Sequence, residues 1–231
     1  EIIDNVDSGY FSATTGNNKL IFDAANVGPD YIPGHAHADT LSFELSVGEQ
    51  RVFVNSGTSE YGLGIKRLNQ RKSASHNTVE VDGKDSSQVW SGFRVANRAR
   101  ILDRFATLKS SNKIILQASH NGYKTLFSGC IHTRKLMFSS TALVVSDSLK
   151  GSFNSAKSRF HFHPDLTISL EGGLLRVEGP KFVLRSDLTS QVCSIANSYW
   201  YPEFGTEIPN KVLEIDFTSE RLEVMFIWVC K

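Results

Sequence analysis

The stretch Leu222-Glu223-Val224-Met225-Phe226-Ile227-Trp228 decides the fold class, because large apolar side chains occupy every second position. Side chains alternate across an extended strand, so the even-numbered residues of this stretch would share one buried face. The preceding segment, 213–217, repeats the pattern, with Leu213, Ile215 and Phe217 opposite Glu214 and Asp216. We therefore predict that two alternating β-strands form the end of the chain.

Most of the remaining chain has the same period of two, and turn signals separate its segments. These signals are Gly48-Glu49, Asp82-Gly83, Ser110-Ser111-Asn112, Asn121-Gly122 and Gly172-Gly173. Only residues 60–71 form an irregular insertion long enough for a short helix or a functional loop. No linker or repeat divides the chain, so we predict one all-β domain over residues 1–231. This domain would be a large antiparallel β-sandwich, of the supersandwich type, with little helix.

Composition excludes several classes of partner. The formal net charge of the 231 residues is +1, which gives no electrostatic reason to expect a nucleic acid or an anionic membrane surface. No run approaches the about 18 apolar residues of a membrane span. The three cysteines, at 130, 193 and 230, are widely spaced and are expected to be buried thiols. The chain opens without Met or a signal peptide, so it is expected to be a fragment of a longer protein.

The stretch Gly34-His35-Ala36-His37-Ala38-Asp39 concentrates the polar chemistry of the chain. If it is extended, His35, His37 and Asp39 share one face, and that face continues into the predicted core positions 41, 43 and 45. A polar cluster that runs into a core face is costly unless its imidazoles find partners. The histidines would therefore hold hydrogen bonds at a sheet edge, a metal or a substrate. His120 and His132 are isolated in the sequence, and each is expected to face solvent or to be capped by one hydrogen bond.

Several kinds of site compete for these residues. Two histidines two positions apart, a third histidine and an oxygen ligand make a workable zinc set, but spacing alone also fits hydrogen-bonded histidines. A cupin-type site is not favoured, because Leu41 and Ser42 stand where that site needs a glutamate. A Ser-His-Asp hydrolase is not favoured either, since the chain has no Gly-x-Ser-x-Gly elbow.

Three ordered motifs resemble the heparinase II/III-like polysaccharide lyases. They are residues 34–43, residues 52–58 followed by Tyr61, and Arg71 followed by Ser75-His76-Asn77-Thr78-Val79. The resemblance is concentrated in residues 9–83. It implies a C-terminal β-sandwich that follows an N-terminal α/α toroid, and cleavage of uronic-acid-containing polysaccharides by β-elimination. An acidic polysaccharide would be the partner, and a periplasmic or secreted bacterial location is favoured.

The resemblance also assigns roles to single residues. His35 matches the active-site histidine that faces the uronate, Tyr61 is assigned to catalysis, and Arg71 is assigned to substrate binding at the cleft. His37 and His76 match two zinc ligands.

Asn55 stands where the family usually has an aspartate as third zinc ligand. A neutral amide oxygen is a poorer ligand than a carboxylate, so partial or absent zinc occupancy is expected.

Two functions remain open on these grounds. The first is the C-terminal domain of a polysaccharide lyase, inactive alone because the toroid supplies further catalytic groups. The second is a non-catalytic carbohydrate-binding or structural β-sandwich with a vestigial metal site.

Overall fold

The structure is a computed structural model that describes residues 1–29, 31–109, 113–124 and 129–231. In chain order the first strands are β1 Ile2–Asn5, β2 Tyr10–Thr15, β3 Asn18–Asp23, β4 Phe43–Val47, β5 Gln50–Phe53, β6 Val79–Val81, β7 Val89–Trp90, β8 Arg94–Val95, β9 Ile101–Lys109 and β10 Lys113–His120. The remaining strands are β11 Ile131–Phe138, β12 Ala142–Lys150, β13 Ala156–His161, β14 Thr167–Glu171, β15 Leu174–Glu178, β16 Phe182–Asp187, β17 Val192–Trp200, β18 Ile208–Asp216 and β19 Arg221–Cys230.

Three antiparallel sheets build the domain. The first has the order β1-β2-β3-β4-β5, the second β14-β15-β16-β19-β12-β11-β10-β9, and the third β17-β18-β13-β6. The strands β7 and β8 form a separate hairpin. Helix is confined, in the described residues, to α1 Ile65–Arg71 and the short 3₁₀ turns Ser73–Ser75 and Gly122–Lys124. The predicted all-β sandwich is confirmed, and α1 occupies the predicted insertion.

One hydrophobic core is shared by the three sheets. Phe53 lies at its centre, with ring centroids 4.9 to 5.8 Å from those of Phe43, Phe160, Phe162 and Phe226. In β19 the even-numbered residues from 222 to 228 are buried and the odd-numbered ones are exposed. The alternation that predicted the fold class is therefore confirmed. None of the helices in the described part of the chain is long and apolar enough to cross a membrane.

Several of the predicted turns lie at the ends of strands in the structure. Turns follow β4 at Gly48-Glu49, β6 at Asp82-Gly83 and β14 at Gly172-Gly173. The predicted turn at Ser110-Ser111-Asn112 lies outside the described residues. The expectation of three buried cysteines is wrong for Cys230, which is exposed on the last strand, and Cys193 is only partly buried.

A buried polar network crosses the middle of the eight-stranded sheet, and it overturns the expectation that His120 and His132 face solvent. Both imidazoles have no exposed surface. The Gly122 N–H donates to His120 Nδ1 at 3.0 Å, so His120 Nε2 carries the proton toward His132 Nδ1 at 3.2 Å. His132 Nε2 then donates to Asp147 Oδ1 at 2.8 Å.

Asp147 is the acceptor on which this network converges. Arg134 donates to both of its oxygens at 2.8 Å, and neither side chain is more than marginally exposed. Burial would raise the pKa of Asp147, but Arg134 and His132 outweigh it and hold that pKa well below its usual range. The pair is therefore a buried ion pair whose members depend on each other.

Asp147→Ala is expected to lower the free energy of unfolding by about 3–5 kcal/mol, because it leaves the buried Arg134 guanidinium without its counter-charge. The measurement is equilibrium unfolding in urea. Asp7→Ala, which removes an exposed carboxylate, is the control and should change stability by about 0.5 kcal/mol or less. Equal stability of the Asp147 and Asp7 variants would contradict the structural role of the network.

Candidate active site

The segment 34–42 enters the first sheet without being a strand itself, because β4 begins only at Phe43. Ala36, Ala38 and Thr40 are buried, whereas the odd-numbered residues 35, 37 and 39 are not. Leu41 has φ +65°, and after it the odd-numbered side chains point inward, so that Phe43, Leu45 and Val47 are the buried positions in β4. The polar trio does share a face, but the expectation that this face continues into the core face is wrong.

Five buried side chains hold this segment in place by donating to its backbone carbonyls. The donor and acceptor pairs are Arg71 to Ala36, Ser73 to Ala38, Thr78 to Thr40, Arg134 to Leu41 and Asn77 to Phe43, at 2.7 to 3.0 Å. Buried carbonyls outside regular structure need such partners. Four of the five donors lie in the segment 71–78, on either side of His76, so the motifs at 34–43 and 71–79 assemble each other.

Arg71 is part of this scaffold. Its side chain has no exposed surface, and its guanidinium also donates to the carbonyls of Ser91 at 3.1 Å and Arg94 at 3.0 Å. Arg67, one turn earlier in α1, is equally buried and donates to Gly92 O at 3.3 Å. These bonds give Arg71 a structural role, because its donors are turned toward backbone carbonyls. The substrate-binding role assigned to Arg71 stays a prediction.

His35 and Tyr61 meet at the surface. The Tyr61 hydroxyl lies 3.2 Å from His35 Nδ1, and the Tyr61 side chain is 47% exposed. The Tyr61 ring is held by the rings of Phe93 and Phe204, with centroids 5.5 and 5.3 Å away. The guanidinium carbon of Arg67 lies 5.4 Å from the Tyr61 centroid. The structure thus brings together the two residues predicted as catalytic, although 26 positions separate them in the chain.

A cleft of about 480 Å³ opens beside His35, and Tyr10, Asp23, His37 and Asp39 are among the residues that line it. Burial raises the pKa of Asp39 to about 6. Burial, and then the charge of Asp39, raises the pKa of Asp23 well above its ordinary value. Sequence reasoning missed Tyr10 and Asp23. The sequence signal that could have identified Asp23 is its position as a carboxylate within the apolar run 20–24.

His37, Asp39 and His76 form a compact group in which one ligand atom from each lies within 4.8 Å of the others. His37 Nδ1 is 3.3 Å from His76 Nε2. Burial, followed by the nearby charge of His76, lowers the pKa of His37 to about 2, and burial lowers that of His76 to about 3. Both imidazoles are therefore neutral near pH 7, which is the form that binds metals.

The donor chemistry of this group fits zinc, since two neutral imidazoles and a carboxylate are ordinary zinc ligands. Asn55 is near the group as predicted, but its Oδ1 contacts His76 Nδ1, the ring nitrogen that faces away from His37. On the other side, Arg67 places a guanidinium nitrogen 3.1 Å from His37 Nε2. A cation so close opposes the charge of a bound metal ion and would weaken its binding.

Arg71→Met is expected to lower the free energy of unfolding by about 2–4 kcal/mol, because several buried carbonyls lose their donor. Binding of uronate polysaccharides, the partner that the resemblance implies, should stay unchanged in the folded full-length variant, since Arg71 is not among the residues that line the cleft. Arg185→Met, at an exposed position on β16, is the control for urea unfolding. Normal stability combined with weakened polysaccharide binding would favour the substrate-binding role of Arg71.

Solved structures of two larger proteins share this fold. The heparan sulfate lyase HepC from Pedobacter heparinus is 14% identical, with a TM-score of 0.74, over 97% of this chain and 36% of that protein. Heparinase III, the BT4657 gene product, is 15% identical with a TM-score of 0.74, over 100% of this chain and 36% of that protein. These identities show a shared fold. The chain thus spans about a third of the length of the solved proteins it resembles.

The sequence itself gives the family. No curated protein matches the chain, but the sequence profile described as "Heparinase II/III-like, C-terminal" matches residues 2–228. That match covers all three motifs and nearly all of the strands, so the resemblance seen in residues 9–83 extends over the whole domain. The chain belongs to the heparinase II/III-like C-terminal domain family.

Proposed function

We propose that this chain is the β-sandwich part of a polysaccharide lyase that cleaves uronic-acid-containing polysaccharides by β-elimination. The observation that carries the proposal is the contact between the Tyr61 hydroxyl and His35 Nδ1 at 3.2 Å, on the edge of an open cleft. The family membership of the chain supports the same reaction class. An acidic polysaccharide is accordingly the proposed substrate.

The chemistry explains why such a pair is useful. The C5 proton of a uronate is weakly acidic, so the enzyme must neutralise the adjacent carboxylate as charge develops. When the Tyr61 hydroxyl donates to His35 Nδ1, His35 Nε2 carries a proton and can donate to that carboxylate. The Tyr61 hydroxyl can then protonate the leaving glycosidic oxygen as the C4–O bond breaks, while a base from the proposed toroid takes the C5 proton.

The remaining catalytic groups would come from an N-terminal α/α toroid in the same polypeptide. The solved relatives are nearly three times as long as the stretch that this chain covers, which supports a further domain. Side chains around the His35–Tyr61 pair are apolar and exposed, with Leu63 80% and Phe204 64% exposed, as a domain contact would require. The β-sandwich alone should then have little activity. A periplasmic or secreted bacterial location fits a polysaccharide substrate.

A structural zinc ion is part of the proposal. Its ligands would come from the group around His37 and His76. Bound there, zinc would link the segment 34–42 to the segment around His76, and so would fix the backbone that presents His35. No step of the elimination is assigned to the ion.

His35→Ala in the full-length protein is expected to lower kcat about 10²- to 10⁴-fold, because it removes the donor to the uronate carboxylate. Tyr61→Phe should have an effect of the same order. The assay is the ultraviolet absorbance of the unsaturated uronate that β-elimination produces. Tyr199→Phe, at a tyrosine with 46% exposure on β17, is the matched control and should leave kcat unchanged.

Full activity in the His35 variant would remove this residue from the mechanism. Binding of uronate polysaccharides by the full-length protein, without any cleavage, would instead favour the alternative function of a carbohydrate-binding β-sandwich.

A further inference from the structure

We infer that Asp39, and not Asn55, is the third protein ligand of a zinc ion bound by His37 and His76. Asn55 orients His76 from the opposite side of its ring. This inference rests on the structural zinc ion of the proposed function, and it changes both the ligand set and the expected affinity of the site.

The contacts of the His76 ring decide on which side of it an ion can bind. The two nitrogens of an imidazole point in different directions, so one ion can bind only one of them. His76 Nδ1 is taken by the Asn55 side-chain oxygen, and His76 Nε2 lies 3.3 Å from His37 Nδ1. An ion shared by the two histidines must therefore lie on the Nε2 side of His76. The Asn55 oxygen lies across the ring from that position.

The distance between the two histidine nitrogens fits a shared zinc ion. Zinc–nitrogen bonds of about 2.0–2.1 Å in tetrahedral geometry place two ligand atoms about 3.3–3.4 Å apart. The 3.3 Å between His37 Nδ1 and His76 Nε2 agrees with this spacing. An Asp39 ligand atom already lies within 4.8 Å of both histidines. A small movement of this carboxylate completes a set of three.

The Asp39 carboxylate lines the cleft, and the hydrogen bond that acts on its pKa comes from a backbone N–H. No cationic side chain of the described residues is among the groups that shift this pKa. A half-buried carboxylate without a counter-charge gains most from a cation. The set His37–Asp39–His76 gives the ion one negative ligand, whereas His37–Asn55–His76 would give it none.

Asn55 has a role in orienting the His76 ring. A metal-bound histidine usually donates its other N–H to a carboxylate or carbonyl oxygen, which fixes the orientation of the ring. An amide oxygen accepts such a bond as readily as a carboxylate does, so an asparagine at this position keeps the site functional. His37 Nε2 lies 3.4 Å from the Thr58 hydroxyl and 3.1 Å from a guanidinium nitrogen of Arg67. Zinc on Nδ1 leaves the proton on Nε2, which can donate to Thr58 once the Arg67 guanidinium turns away. The expectation of weak zinc binding treated Asn55 as a ligand. This geometry removes that premise and leaves the Arg67 charge as the factor that weakens binding.

The test is zinc binding by the full-length protein, measured as metal content after dialysis against zinc and as affinity in competition with a chelator. We expect one zinc per chain in the wild type. Asp39→Asn should lose measurable zinc, because the only negative ligand becomes neutral. Asn55→Ala should retain zinc with an affinity lowered about 10- to 100-fold. Asp7→Asn, at an exposed carboxylate, should match the wild type.

A second pair of variants keeps the test decisive if Asp39→Asn fails to fold. In cobalt-substituted protein, Asp39→Cys should show a thiolate-to-cobalt charge-transfer band, and Asn55→Cys should show none. Absence of zinc from the wild type, wild-type affinity in Asp39→Asn, or a charge-transfer band only in Asn55→Cys would each overturn the inference. None of these readouts involves cleavage, so failure of the lyase proposal would be seen separately.

Discussion

The backbone carbonyls of the segment 34–42, which is not a strand, and of Phe43, where β4 begins, must be hydrogen-bonded, and the rest of the site depends on this constraint. Donors come from Arg71, Ser73, Asn77 and Thr78 on one neighbouring segment, and from Arg134 in the eight-stranded sheet. Each bond is modest, but a buried carbonyl without a donor would cost about 1–3 kcal/mol. The requirement therefore explains why polar residues are concentrated in 71–78.

The same arrangement creates the functional face. With the carbonyls and the even-numbered side chains directed into the protein, His35, His37 and Asp39 are left on the open side. His35 meets Tyr61 at the surface, while His37 and Asp39 meet His76 a short distance away. The motif is thus divided between a candidate catalytic group and a candidate metal group. Arg134 connects both to the buried Asp147 network.

Local pattern predicted the fold class, because the alternation in β19 is a property of neighbouring residues. The resemblance assigned both His35 and Tyr61 to catalysis, but their contact at 3.2 Å is a finding of the structure. The phase reversal at Leu41 was not predictable, since it depends on a positive φ that Arg134 stabilises from far along the chain. The burial of Arg71 and the position of Asn55 behind His76 likewise depend on long-range packing, which composition and spacing do not encode.

The central claim is that the segment 34–42 presents His35 to the uronate carboxylate, with Tyr61 beside it. The most direct test is a crystal structure of the full-length protein, made inactive by Tyr61→Phe, with a bound uronate oligosaccharide. The account predicts a uronate carboxylate oxygen at about 2.7–3.2 Å from His35 Nε2. An oligosaccharide bound in a cleft that includes neither His35 nor residue 61 would contradict it.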